Sequence, residues 1–343
     1  VNLIATGLAF VVSALITGYL CHPGTKFYRL DHPNARSLHT NPTPRGGGLG
    51  IIVGVLIPAA LLVALGEDSN SGLGWLAAAA LLVAVISLVD DWLSIHFGVR
   101  IVVHFTAAGV LVWDGFGLQS ITLPGETWEL SEFVVIGVSL LFIVWMANLY
   151  NFMDGMDGFA GGMTVIGFGA FGLLGWLANA ELFSALSLLI AAAAAGFLLF
   201  NFPPARIFMG DVGSSSLGFL AAAFMLWADR DGVFPLWVGV LVFSPFIVDA
   251  SVTLIMRMVR RERFWEAHKT HYYQRLVQLG WGHRRTVLWE YVLMILCAAS
   301  AVLARQLSPG GQWFIIVMWL VVYLLIMLAV RHFEARRRAV MAR

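Results

Sequence analysis

Charge is scarce in this chain. Of its 343 residues 12% are Asp, Glu, Lys or Arg, against about 25% in an ordinary soluble domain. A soluble protein of this length needs a polar shell. A chain that is 59% hydrophobic, with a mean hydropathy of +0.83, has too little to build one. Cysteine is scarcer still: Cys21 and Cys297 sit at or within apolar segments, with neither CxxC nor metal-ligand spacing, so no disulfide framework is implied. Internal repeats and low-complexity tracts are missing apart from the alanines at 191–195, a run suited to close helix packing. The first apolar stretch, Leu3 to Leu20, lacks a basic flank and a small-residue cleavage motif, so it is expected to be a retained span and not a signal peptide. The chain opens on Val1, and a few native residues are expected before it.

What the chain has in quantity is long apolar runs. A helix crosses the hydrocarbon core with about 20 mainly apolar residues. Such spans are expected near 3–20, 46–65, 73–89, 101–118, 132–147, 159–178, 182–200, 215–227, 235–256, 287–304 and 313–330. The predicted fold class is an all-α integral membrane protein of about eleven transmembrane helices, one polytopic unit over 1–343. The joining segments fall into two alternating sets. Segments 21–45, 90–100, 148–158, 201–214, 257–286 and 331–343 hold 19 of the 21 Lys and Arg residues, and the other set holds Arg230 and Arg305. By the positive-inside rule the basic set is cytoplasmic, the N-terminus periplasmic and the C-terminus cytoplasmic. Segments 66–72 and 305–312 on the other side read as plain turns. Nearly all the unusual polar motifs also fall in the cytoplasmic set, so the active site is expected in the cytoplasmic loops.

Asp90 and Asp91 end an apolar run, and a carboxylate at mid-bilayer costs a few kcal/mol, so both are expected at the interface. One acid there would read as a charged stop. Two adjacent acids at a helix C-terminus oppose the helix dipole, and helix neighbours point about 100° apart, so separate roles are expected, one near a cation and one near an acceptor. In the segment from Asn148 to Gly158, Asn148, Asn151, Asp154 and Asp157 recur at three-residue spacing. Their hard oxygens suit Mg²⁺ or Mn²⁺ and can read nucleotide hydroxyls and base edges; the same residue types also build Asx turns.

Phe208 to Ser215 set an aromatic, an acid and glycines before a new helix, whose N-terminal N–H groups can face phosphate. Asp211 is a candidate metal ligand there. Phe208 is either a base platform or an ordinary core residue. His268, His271 and Arg275, at i, i+3 and i+7, would share one helical face within the basic loop 257–286 and suit a diphosphate. Arg257, Arg260, Arg261 and Arg263 read instead as contacts to anionic lipid heads. Asp249, four residues after Pro245 in the ninth span, is either a functional acid or a buried structural partner. His104 reads as a packing residue.

Taken in order, Pro-Thr-Pro-Arg-Gly-Gly-Gly at 42–48, Asp90-Asp91, Asn148 to Gly158, Phe208 to Ser214 and His268 to Arg275 resemble the polyprenyl-phosphate N-acetylhexosamine-1-phosphate transferases, glycosyltransferase family 4. The His-Lys-Thr-His-Tyr-Tyr-Gln-Arg segment is similar to the branch that initiates O-antigen, and it departs from the triple-histidine form of the peptidoglycan translocase. The resemblance implies a bacterial inner-membrane enzyme in which undecaprenyl phosphate attacks the β-phosphorus of a UDP-N-acetylhexosamine and releases UMP. The donors it implies are N-acetylglucosamine or a 6-deoxy sugar such as N-acetylfucosamine or N-acetylquinovosamine. Mg²⁺ is the implied cofactor, with Mn²⁺ the alternative. The bilayer is a partner, nucleic acid is not, and a homodimer is among the assemblies left open. By motif, Asn151 and Asp211 resemble the metal ligands, Phe208 the uracil-stacking residue, and Asp154 and Asp157 nucleotide contacts. Asn148 and Arg45 join the substrate contacts. His268, His271 and Arg275 resemble the diphosphate cluster, and Asp90 and Asp91 the acidic pair near the lipid phosphate. Many members carry a third acid three residues beyond the pair, where this chain has Ser94. The rival reading is a secondary transporter for an anionic solute, which should show inverted repeats and acids buried halfway across the membrane. No repeat is visible, and most acids fall at cytoplasmic ends.

Overall fold

The computed structural model describes residues 3–26, 28–33, 38–64, 71–262 and 268–341. Arg263, residues 66–70 of the expected outer turn, and Arg36 and Arg343 of the charge count lie outside the described residues. Thirteen α-helices are described: α1 (Leu3–Leu20), α2 (Gly48–Ala64), α3 (Ser71–Leu93), α4 (Phe97–Trp113), α5 (Glu132–Met153), α6 (Phe159–Leu177), α7 (Glu181–Asn201), α8 (Asp211–Arg230), α9 (Leu236–Val242), α10 (Ser244–Val259), α11 (Tyr272–Leu276), α12 (Gly282–Ala304) and α13 (Pro309–Met341). A π-helical turn, Val277–Trp281, joins α11 to α12. Two short antiparallel ribbons complete the described structure, β1 (Arg29–Asp31) with β2 (Thr43–Arg45) and β3 (Ser120–Leu123) with β4 (Glu126–Glu129).

Each expected span coincides with one of these helices or with a bent pair. Among the described residues eight helices are long and apolar enough to cross a membrane, and α9 with α10, bent by 84°, would make a ninth. The shorter apolar helices α2 and α4 have 17 residues each, about 26 Å of rise against a core of about 30 Å. The chain is an all-α, multi-pass integral membrane protein.

The helices outrun the apolar runs that announced them. α3 continues through Asp90 and Asp91, α5 through Asn148 and Asn151, α8 begins at Asp211, and α13 continues to Met341 through what had read as a tail. The expected loops at 148–158 and 257–286 shrink accordingly. Hydropathy stops where apolar side chains stop, but the backbone ladder goes on wherever polar side chains find partners. α4 is displaced toward its N-terminus: His96 caps it by accepting the Gly98 N–H at 3.1 Å, and it ends before Asp114.

α8 is the central pillar, with every residue from Val212 to Ala228 buried. α5 packs against it closely at Gly218, where a Cβ would lie 2.6 Å from the Tyr150 Cβ and 2.9 Å from the Ala147 Cα. The entry to α8 is laced to the entry of α2. Phe208 N–H donates to the Pro44 carbonyl at 2.7 Å, Gly46 and Gly47 N–H donate to the Phe208 carbonyl at 3.1 and 2.9 Å, and Gly48 N–H donates to the Met209 carbonyl at 2.8 Å. Two motifs far apart in sequence thereby form one backbone unit.

Gly218→Ala should force α5 and α8 apart and cost about 1–3 kcal/mol, read as a lower melting temperature in detergent. Gly169→Ala in α6, where a Cβ meets nothing within 4 Å, is the control expected to melt like the parent.

Candidate active site

The site is assembled at the N-terminus of α8. Its first N–H groups have no partner within the helix, and the carboxylate of Asp91 supplies one: Oδ1 accepts from Asp211 N–H at 3.0 Å and Oδ2 from Val212 N–H at 3.1 Å. Gly210, just before, has φ +77°, a conformation that favours glycine, and a Cβ there would lie 2.8 Å from Asp91 Oδ2. Asp91 is buried and also pairs with Arg45. An acid at the C-terminus of α3 is thus explained by the N-terminus of α8, whose dipole it complements. Arg29 covers the other side of this junction, donating to the carbonyls of Asp91 and Trp92.

Asp90 points elsewhere, as its position on α3 requires. Its Oδ1 accepts the Ile95 N–H at 2.9 Å and its Oδ2 pairs with Arg100. Arg100 also reaches Asp211 Oδ2 at 2.6 Å, and Arg45 lies 3.7 Å from Asp211 Oδ1.

Beside this network lies a cleft of about 240 Å³ lined by Arg45, Asn151, Asp154, Asp157, Phe208 and Asp211 among others. Six residues singled out from sequence therefore converge. Asn151 donates its amide to Ser214 Oγ at 2.9 Å, and among the described residues nothing donates to its carbonyl oxygen. Burial, then repulsion from Asp211 and Asp91, pushes the Asp154 carboxyl well above its ordinary range, with Arg45 pulling the other way. Burial would raise Asp157 too. Hydrogen bonds from His283 and from the Ala205 N–H, which reaches Oδ2 at 3.0 Å, outweigh it and hold Asp157 below its ordinary value.

The donor set fits a hard divalent cation. Asp90, Asp91 and Asp211 share the two guanidinium groups of Arg45 and Arg100, and the Asp154 carboxyl lines the cleft with Asp211. A bound divalent ion would offset the excess of carboxylate and favour the ionised form of Asp154. Among the described residues no three His, Cys, Asp or Glu side chains form a preformed metal centre. Mg²⁺ commonly takes one or two carboxylates and completes its shell with water and substrate phosphate, and Asp211 and Asn151 both line the cleft.

The remaining sequence candidates lie outside the cleft lining. Asn148 donates to the Val144 carbonyl at 2.7 Å and approaches buried His104. Asp91 and Ser94 line a neighbouring recess with Arg29 and Arg45. His268, His271 and Arg275 do not share a helical face. Asp249 accepts the N–H groups of Tyr272 and Tyr273 at 2.9 and 3.0 Å, which starts α11 at residue 272 and leaves His268 outside it. Asp249 is thus a buried structural partner. His271 is buried with its Nδ1 3.3 Å from Asp249, and the His268 ring stands 4.8 Å from it. Burial, then the neighbouring His271 and Arg257, lowers His268 to about 4. Arg275 turns to α13 and holds Glu334 with two bonds of 2.7 and 2.6 Å. Arg257, expected at lipid heads, pairs with Glu262 at 2.8 Å.

Sequence reading missed several lining residues. His39 sets its ring 4.8 Å from Phe208 at 60°, and His283 Nδ1 lies 3.0 Å from Asp157 Oδ1. Asn201 ties the two motif loops together, accepting from Gly158 N–H at 2.9 Å and donating to the Ile207 carbonyl at 2.8 Å. Gln274 lines the cleft where the neighbouring histidines do not. His39 stands six residues before Arg45, and that proximity was the available signal. His283 was hidden in a segment read for its basic residues.

A multi-pass helical membrane protein with an acid- and arginine-lined cleft at the end of its central helix is the class that this geometry defines. Residues 73–229 match the glycosyl transferase family 4. The chain is 31% identical to the decaprenyl-phosphate N-acetylglucosaminephosphotransferase of Mycolicibacterium smegmatis, covering 88% of this chain and 82% of the relative. It is 29% identical to a probable undecaprenyl-phosphate N-acetylglucosaminyl 1-phosphate transferase of Bacillus subtilis, covering 90% and 87%. It is 26% identical to the undecaprenyl-phosphate alpha-N-acetylglucosaminyl 1-phosphate transferase of Yersinia pestis, covering 86% and 82%. The chain belongs to the polyprenyl-phosphate N-acetylhexosamine-1-phosphate transferase family, which sets the transporter reading aside.

Arg275→Ala should release α11 from α13 at a cost of about 1–3 kcal/mol, with Glu334→Ala giving a similar loss and the double variant little more. Thermal unfolding in detergent reads this. A large drop in UMP affinity at an unchanged melting temperature would return Arg275 to the substrate cluster.

Proposed function

We propose that the protein transfers N-acetylhexosamine-1-phosphate from a UDP-sugar to undecaprenyl phosphate on the cytoplasmic face of a bacterial inner membrane, with release of UMP. The observation that carries this reading is the cleft itself, which joins an aromatic face at Phe208 and His39 to the Arg45 guanidinium and to the carboxylates of Asp154, Asp157 and Asp211. A nucleoside diphosphate sugar needs both features. The relatives' names support N-acetylglucosamine as the donor sugar; initiation of an envelope polysaccharide is the role proposed with it, and O-antigen is the pathway that the 268–275 segment favours. The basic segments support an N-terminus outside and a C-terminus inside.

In this reading Phe208 and His39 hold the uracil, and Asp157, fixed by His283 and Ala205, meets the nucleoside edge. Arg45 contacts the diphosphate. A phosphate oxygen of the lipid forms a bond to the β-phosphorus while the bond from that phosphorus to the UMP oxygen breaks, and UMP leaves with the electron pair. Mg²⁺ held by Asp211 and Asn151 would offset charge on the phosphate oxygens. Asp91 keeps the N-terminus of α8 and Arg45 in register.

The test is release of UMP by purified protein given UDP-N-acetylglucosamine, undecaprenyl phosphate and Mg²⁺, with the extracted lipid weighed by mass spectrometry. No lipid diphosphate sugar from any UDP-N-acetylhexosamine would sink the reading. Asp211→Ala should lower turnover by roughly 10²-fold or more while the protein stays folded, and excess chelator should do the same to the parent. Phe208→Ala should weaken UMP binding by about 1–3 kcal/mol, the scale of base stacking, with Phe208→Tyr and Phe208→Trp close to the parent. Equal UMP affinity in all three variants would make Phe208 a core residue.

A further inference from the structure

One nitrogen of Arg100 serves two carboxylates. Its Nη1 contacts Asp90 and lies 2.6 Å from Asp211 Oδ2, so the guanidinium bridges the end of α3 and the start of α8. Asp211 is one of the two proposed cation ligands, and its other oxygen faces Arg45 at 3.7 Å. A divalent ion arriving at Asp211 therefore meets a positive group already in place, and two cations at one carboxylate oxygen repel strongly in a half-buried site. Arg45 is poorly able to yield. It is pinned by Asp91 and by a backbone unit laced to residues 208 and 209. Arg100 is better able to, since it sits in the first turn of α4 after the link 94–96 and has Asp90 as a second anchor.

We propose that Arg100 is the resident counter-ion of Asp211, displaced onto Asp90 alone when a divalent cation binds. The inference rests on the cation site proposed above. Displacement leaves part of the planar guanidinium fork free for an anionic phosphate. In the absence of the cation, the same contact offsets part of the Asp211 charge beside the neighbouring carboxylates. Linkage makes the effect reciprocal: the factor by which a bound cation weakens the contact between Arg100 and Asp211 is the factor by which that contact weakens cation binding.

Mn²⁺ titrated into the purified full-length protein in detergent, with the free ion followed by electron paramagnetic resonance, reads this without turnover. Arg100→Gln is expected to lower the Mn²⁺ dissociation constant at least about fivefold. Arg100→Lys keeps the charge but loses the fork, so it should fall between the parent and Arg100→Gln; it carries the test if the Gln variant aggregates. Unchanged or weaker Mn²⁺ binding in a folded variant overturns the role of Arg100 and leaves the cation site standing. A parent protein that takes up no Mn²⁺, or takes it up equally well after Asp211→Asn, overturns the cation site and this inference with it.

Discussion

The first turn of α8 enters a buried helix with its N–H groups unpaired, and Asp91 accepts two of them from the last turn of α3. The cleft depends on that cap. A buried helix terminus without partners is costly, so the acid has to reach it, and the reach fixes α3, α8 and Arg45 relative to one another. Asp211 opens α8 and is therefore set in position by the same contact. Gly210 admits the approach because it carries no side chain where the Asp91 carboxylate passes.

A second constraint is electrostatic. Arg45 and Arg100 are shared among Asp90, Asp91 and Asp211, and Asp154 is pushed toward its neutral form by burial and by its acidic neighbours. Such crowding is unfavourable in an empty structural core. It is of use where a cation and phosphates are to be bound together, because their charges complete a balance that the protein alone leaves open. Fold and proposed chemistry share residues here: Asp91 is a helix cap as well as an acid, and Arg100 is a tether as well as a charge.

The 257–286 segment follows another logic. The regular spacing of His268, His271 and Arg275 suggested one helical face, but the carboxylate of Asp249, on α10, selects where α11 begins. Once α11 starts at Tyr272, Arg275 faces α13 and finds Glu334, and Gln274 comes to the cleft instead. A helical periodicity holds only while the helix is unbroken, and a tertiary contact broke this one.

The sequence by itself determined the membrane class, because apolar runs of bilayer length are a local property, and it brought Arg45, Asn151, Asp154, Asp157, Phe208 and Asp211 together as one set, because their motifs recur in a known order. It also located the polar chemistry at helix ends, since carboxylates are expensive inside the hydrocarbon core. Only the tertiary structure decided which partner each charge takes. Asp90 with Arg100, Asp91 with the start of α8, Asp157 with His283 and Arg275 with Glu334 are contacts between elements far apart in the chain. Sequence spacing governs what one helix presents to its surroundings. Pairing across elements is set by how whole helices pack, and the close approach of α5 to α8 at Gly218 and of Asp91 to Gly210 exists in no single segment.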